Sequence, residues 1–564
     1  MTKNKNNKKR DLTTLSLAII IVILLNFVGS FVFHRFDLTS EKRYTLSDAT
    51  KKLLSQLNDV VYVKVYLEGE FPAGFKRLRN ETKEMLDEFR AYSNDNIEYE
   101  FINPSENQDK KQQNEVYKQL YDKGLEPTNL EVKEESGTSQ QVLWPGAIVS
   151  YKGHETPWQL LKTQLGQSSE MQLNNSVQAL EYEFASCIRN LSTVSRPHIG
   201  FIEGHNELDT LSLKDIKDAL SEFYILKRVK INEQLNALNG LQAIVIAKPD
   251  TSFSEKDKFI IDQFVMKGGK ILWAIDPLNT SIDSLRRTGQ TLAIPYDLKL
   301  DDLFFKYGVR INQNIILDMQ SSAIPVNKAF RGQQPRFELM PWLFSPLIMP
   351  ISSHPIVKNL EVIKIEYGSS MDTVGAKGIT KTILLRTSKY SKTLNAPVRV
   401  DLRMVNGKPD ETQFNDSYQP VAVLLEGEFE SLFKNRITPK IATDSAIGFK
   451  AHGIKTKMIV ISDGDIIRND VQHATGKTFP LGYDQYTNQT YGNRNLILNC
   501  INYLCDDSGL ISVRARELTL RLLDKKKIQT EKLKWQLINT LLPLLVILLF
   551  GIIHNIRRKR KYAG

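Results

Sequence analysis

The sequence predicts an α/β protein held to a membrane by two helices that flank a large soluble body. Three observations lead there. Two uncharged apolar runs lie near the chain ends: Leu15 to Phe33, and Trp535 to Ile556. Each is long enough to cross ~30 Å of hydrocarbon as a helix. Between them, short β-branched runs alternate with amphipathic helical stretches, the pattern of layered α/β domains. The basic excess sits outside the runs. Lys3, Lys5, Lys8, Lys9 and Arg10 precede the first, and Arg557, Arg558, Lys559, Arg560 and Lys561 follow the second.

Of the formal net charge of +11, those ten residues account for all but one, leaving 65 basic against 64 acidic side chains. A neutral body argues against a nucleic-acid partner, which would need a basic face. The first apolar run is longer than a signal-peptide core and no A-x-A-like site follows, so it reads as an uncleaved anchor. With basic clusters beyond both spans, the positive-inside rule places both termini in the cytoplasm and the body on the other side. The expected organisation is a basic tail (1–12), a first span (13–33), an α/β module (34–195) and a second α/β domain (196–510). A helical stalk (511–534), a second span (535–556) and a basic tail (557–564) complete it. Cys187, Cys500 and Cys505 make an odd set without disulfide or zinc spacing.

In the first module, "SDATKKLLSQL" predicts a helix capped by Ser47 or Asp48, and "VVYVKVYL" a strand. "FKRLRNETKEMLDEFRAYS" predicts a helix, "IEYEFINP" a strand, and "LEVKEE" with "QQVLWPGAIVSYKG" a hairpin. A short helix is expected near Trp158 to Lys162, and another over Ser176 to Asn190. The order is that of a thioredoxin-like layout, but no CxxC follows the first strand, so redox chemistry is not supported.

From Pro197 the chain changes to repeated β/α units. "HIGFIEG", "YILKRVKI", "LQAIVIAKP" and "KILWAIDP" are strands, the last two apolar enough to be covered on both faces. "SLKDIKDALSEF" is a helix with Ser212 as the expected cap, and "SEKDKFIIDQFVMKGG" one capped by Ser254 and stopped at Gly268-Gly269. The alternation implies a mostly parallel, Rossmann-like sheet. A proline-rich, β-rich insertion occupies about 310–440, after which "KMIVISDGDIIRND" returns as a buried strand and "GNRNLILNCINYLC" as a helix. From Val513 a charged helix without breakers leads into the second span, where Pro543 predicts a bend.

The candidate site residues are loop residues at the carboxyl ends of strands, where open α/β sheets bind ligands. They are Glu203, His205, Asn206 and Glu207 after the first strand of the second domain, and Asp463, Asp465 and Asn469 after its last. They are read as ligand or partner contacts, not catalytic groups. His205 between two carboxylates has no second histidine or cysteine beside it, and the acidic "SDGDIIRND" lacks the Gly and Glu of a calcium loop. "TGKT" (Thr475–Thr478) lacks the first Gly of a Walker A motif and is followed by Phe479-Pro480 instead of a helix. No metal, nucleotide or other cofactor is expected.

Several stretches carry a family resemblance: "FDLTSEKRYTLSDATKKLLSQLNDVVYVKVYLEGEFP", "GFIEGHNE", "GGKILWAIDP", "VISDGDIIRND", "GNRNLILNCINYL" and "LINTLLPLLVILLFGIIHNIRRKRK". In that order, along almost the whole chain, they resemble the gliding-motility-associated ABC transporter accessory proteins of the GldG type. The resemblance implies a non-enzymatic subunit of the bacterial inner membrane with a periplasmic body, working with a separate permease and a separate ATPase. It also implies an amidotransferase-like second domain with no transferable catalytic residues. A tethered carbohydrate- or peptide-binding module, with the region near Trp342 lining a groove, is the alternative. A tethered hydrolase using His205 is a third.

Overall fold

The computed structural model describes residues 12–24, 26, 45–106, 109–134, 137–162, 168–193, 196–280, 285, 288–329, 334–407, 409–445, 447–472, 475–506, 509–515 and 525–562. The chain divides into a body and a separate C-terminal unit.

The first module opens with α1 (Asp48–Leu54), whose N-cap Ser47 accepts a hydrogen bond from the Thr50 backbone. Its sheet is built from β1 (Val61–Val65), which is followed by α2 (Ala73–Tyr92), and from β2 (Ile97–Phe101), which is followed by α3 (Lys110–Asp122). A two-stranded ribbon, β3 (Thr128–Glu134) with β4 (Gly137–Leu143), leads to β5 (Gly146–Tyr151) and β6 (His154–Gln159), and α4 (Ser169–Ser192) closes the module. The strand order is β2-β1-β5-β6, with β1 and β2 parallel and the remaining pairs antiparallel. Trp158 therefore lies in a strand, not in the expected short helix. Paired with Ala147 of β5, its indole stacks on Phe184 of α4, 4.9 Å between centroids. That burial outweighs the local pattern.

The second sheet has seven strands. The parallel part comprises β7 (His198–Glu203), β8 (Ile225–Lys230), β9 (Ala243–Ala247), β10 (Lys270–Ala274) and, after the insertion, β16 (His452–Ile461). α5 (Lys214–Ser221) follows β7, and α6 (Glu255–Met266) follows β9. The insertion contains α7 (Asp301–Tyr307), β11 (Ser321–Asn327), β12 (Phe337–Ile348) and β13 (Ile363–Lys364). It returns through β14 (Ile379–Arg386) and β15 (Pro420–Glu430), which join the same sheet in antiparallel fashion. The order is β14-β15-β16-β10-β9-β7-β8. Side chains alternate between the two faces of this sheet. Val245, Leu272 and Ile459 enter one core with α5 and α8 (Asn493–Cys505), while Ile244, Ile246, Trp273 and Val460 enter the other with α6 and α7.

Helix α6 is bounded as its sequence predicts, with the Ser254 hydroxyl accepting from Asp257 N. Helix α5 is not. It begins after Leu213 without a side-chain cap, because Ser212 is drawn into a turn whose backbone N–H donates to Asp209 Oδ1. Ile511 and Val513, expected at the start of the stalk, are buried in the core of the first module together with Leu510, expected at the end of the second domain. The return of the chain to that core takes precedence over the charged helical pattern that follows it.

Two flanking spans were expected. Among the described residues one helix is long and apolar enough to cross a membrane, Thr530–Arg560, within α9 (Lys525–Tyr562), with Pro543 inside it. Leu12–Leu24 is a shorter apolar helix, and residues 25 and 27–33 of the expected first span lie outside the described residues.

Candidate functional site

The loop after β7 is tied down residue by residue. Glu203 pairs with Arg228 of the neighbouring β8. His205 is 5% exposed and its ring stacks on Phe253, 3.7 Å between centroids. Its Nδ1 lies 3.2 Å from Glu207 and its Nε2 3.2 Å from Asp257 of α6. Asn206 takes a left-handed backbone, φ 59°, and its amide donates to Asp250. The His205 carbonyl accepts from Asp250 and Thr251 N–H groups. Both ring nitrogens thus face carboxylates of the chain itself, and the histidine fastens the loop to α6.

The loop after β16 sits differently. Asp463, Gly464 and Asp465 lie at the carboxyl edge of the central strands, beside the residues that follow β9 and β10. Lys248, the residue after β9, reaches Asp276 at 3.1 Å and Asp465 at 2.5 Å. Asp276, two residues past β10, accepts from the Gly464 backbone N–H. Gly464 is required by close approach, since a Cβ there would stand 2.6 Å from the Lys248 side chain and 3.1 Å from its Cα. Asp463 is fully buried and accepts from Glu366 N at 3.0 Å and Asp465 N at 2.8 Å. Asn469 stands apart from this group. Its carbonyl oxygen accepts from Asp215 N, and its amide donates to Leu211 O, so it satisfies the otherwise uncapped start of α5.

Four further charged groups complete the cluster. Lys364 contacts Glu366 at 2.8 Å and Asp484 at 3.0 Å, and Arg468 holds Asp465 at 2.8 Å. Burial resists ionisation of Glu366, but Lys364 and Arg468 outweigh it and hold its carboxyl down at about 2. Burial likewise opposes the charge on Lys248, but Asp276 and Asp465 prevail and raise its pKa. Asp463 is pushed well above the carboxylate range by burial first, then by Asp276 and Asp465. These opposite shifts among neighbours mark a site whose charges are set by one another.

Lys364, Glu366, Arg468 and Asp470 line two adjoining cavities of about 40 and 30 Å³, the second also walled by Trp342, Tyr367 and Tyr486. Each has room for a water or two. Trp342 does lie on the wall, but it is 2% exposed.

Of the seven residues singled out in the sequence, Asp463 and Asp465 join the cluster. Glu203, His205, Asn206 and Glu207 sit in a separate loop bonded to β8, Asp250 and α6, and Asn469 bridges to α5. Lys248, Asp276, Lys364, Glu366, Arg468 and Asp484 were missed. Lys248 and Asp276 carried a signal: a charged residue one or two places past an apolar strand, in "AIVIAKP" and "ILWAIDP". Glu366 and Asp484 carried none, being brought in by the insertion and by a long loop. "TGKT" forms one arm of a small hairpin, Lys477–Thr478 pairing with Val471–Gln472, with no helix behind it. Among the described residues no group of three or more His, Cys, Asp or Glu is placed to hold a metal ion.

Residues 196–500, more than half of the chain, match an ABC transporter auxiliary family described as an ABC-type uncharacterized transport system. The chain belongs to this family. The match takes in the second sheet, its insertion and the charged cluster. Family membership suggests an accessory, non-catalytic role alongside transporter partners, and helix α9 is consistent with membrane association. Residues 40–150 match a domain of unknown function. An uncharacterized protein of Borreliella burgdorferi is 23% identical over 573 residues, covering 99% of each chain. Among solved structures, the mmIFT52 N-terminal domain is 13% identical, covers 55% of this chain and 98% of its own, and has a TM-score of 0.31. At that score the likeness carries no argument.

Proposed function

We propose that this protein is the non-enzymatic accessory subunit of an ABC transport complex. It is anchored in a bacterial inner membrane with both termini cytoplasmic, and its body is periplasmic. The family match over residues 196–500 carries the reading. Energy and a transport path come from separate ATPase and permease chains. The body is read as a thioredoxin-like module before residue 195 and a Rossmann-like domain after it. Strand orders β2-β1-β5-β6 and β14-β15-β16-β10-β9-β7-β8 support those two assignments. The two separate loops holding Glu203, His205, Asn206 and Glu207, and Asp463, Asp465 and Asn469, are the proposed places of contact with a ligand or with the permease. Resemblance to the GldG type extends the proposal to gliding motility.

Isolation of the intact complex in mild detergent tests the reading. A permease chain and an ATPase chain should accompany the protein in fixed ratio, and cytoplasmic reporters fused to either terminus should be active. Recovery without either chain, or a reporter active only outside, overturns it.

A further inference from the structure

Ribbon β11–β12 breaks the usual rule for a sheet with one solvated face. Its inward positions Ile324, Val326, Met340 and Trp342 pack into a core of the insertion. The outward positions should then be polar. Instead, the outward face pairs Ala323 with Pro341, Pro325 with Leu339 and Asn327 with Phe337. None of the six is charged, and Phe337 is 66% exposed and Leu339 52%. A continuous uncharged face of this kind marks an interaction surface.

The surrounding charge selects the occupant. From Asn327 to Glu338 the sequence holds Lys328, Arg331 and Arg336 against one acidic residue, Glu338, which pairs with Arg336 at 2.9 Å and leaves the stretch with a net basic excess. Basic side chains beside exposed Phe and Leu suit a bilayer surface, with the apolar groups at the acyl boundary and the cations at anionic headgroups. The same chain carries a helix able to cross a membrane, starting at Thr530, 15 residues beyond Ala515 at the end of the described body.

We propose that the outward face of the β11–β12 ribbon, with Phe337, Leu339 and Pro341 framed by Lys328 and Arg336, docks on an anionic lipid surface. The inference rests on the reading of α9 as a membrane helix. Docking would hold the body at the bilayer by a second point besides the helix.

The test uses the full chain in vesicles of phosphatidylcholine, with and without phosphatidylglycerol. An environment-sensitive fluorophore is attached at Leu339→Cys, and in a control at Glu98→Cys on the exposed face of β2. The label at 339, and not the one at 98, should shift to the blue and be quenched by brominated acyl chains, more strongly with phosphatidylglycerol. Lys328→Gln and Arg336→Gln should each lower docking about fivefold, the equivalent of ~1 kcal/mol per basic residue near an anionic surface. Extraction at alkaline pH separates the two readings. Protein released by it refutes the membrane helix itself. Protein that resists extraction while label 339 stays unquenched refutes the ribbon's docking. Burial of label 339 only when transporter subunits are added gives the face to a protein partner and also overturns the proposal.

Discussion

Lys248 combines a left-handed backbone, φ 53°, with a side chain held by two buried carboxylates. Replacing it with Met keeps the volume and removes the charge that Asp276 and Asp465 share. Breaking a buried pair from one side costs about 3–5 kcal/mol, so Lys248→Met should lower the free energy of unfolding by about that amount and shift the denaturation midpoint down accordingly. An unchanged midpoint would mean that the cluster is solvated. Glu366 gives the matching pH prediction. Its folded pKa of about 2 lies below the ordinary 4.5, so its ionised form contributes stability above pH 4.5. That contribution is lost as pH falls towards 2. The contribution is on the order of 3 kcal/mol. Glu366→Gln should therefore flatten stability against pH in that window and leave the slope above pH 5 unaltered, as read by denaturant titration at each pH. Asp463 works in the opposite sense: its raised pKa makes the fold lose stability as pH rises above the ordinary carboxylate value.

At the scale of elements, α6 and the hairpin at "TGKT" give contrasting expectations. Helix α6 depends on its Ser254 cap and packs against the sheet, so Ser254→Ala should cost about 1 kcal/mol in chemical denaturation. The hairpin's Lys477 is exposed and no helix N-terminus faces it. Lys477→Ala should stay within about 0.5 kcal/mol of the parent, and ATP should not raise the melting temperature of either protein. A rise with ATP that Lys477→Ala abolishes would restore a nucleotide site. The α6 cap was legible in the sequence, because a cap is a local pattern, whereas the hairpin at "TGKT" was not among its expectations. The α5 cap was misread because Ser212 and Asp209 compete for one turn, and the winner depends on Asn469, more than 250 residues away.

At the scale of the whole molecule, the body is close to electrically neutral and the apolar residues outside it lie near the ends. Removing residues 1–44 and 525–564 should convert a membrane-bound protein into one that stays in the supernatant after ultracentrifugation. Sedimentation of the shortened chain with vesicles at high salt would point to a larger apolar surface than the β11–β12 ribbon. The α/β alternation of the body and the apolar C-terminal helix could be read before any coordinates, since both follow from composition and period over many residues.

By itself, the sequence determined what depends on neighbours along the chain: the α/β class, the runs Ala243–Ala247 and Lys270–Ala274 as doubly covered strands, and the Ser254 cap. The tertiary structure alone decided what depends on distant partners. It turned the stretch at Trp158 into an edge strand by packing the indole on α4, and it folded Leu510 to Val513 back into the first module. It also separated the His205 loop from the charged cluster, because β9 and β10 stand between β7 and β16 in the sheet. The cluster gathers Lys248, Asp276, Glu366, Asp465 and Asp484 from five segments. Buried charges are stable only where opposite charges meet them, and strand order, not proximity along the chain, determines which ones meet.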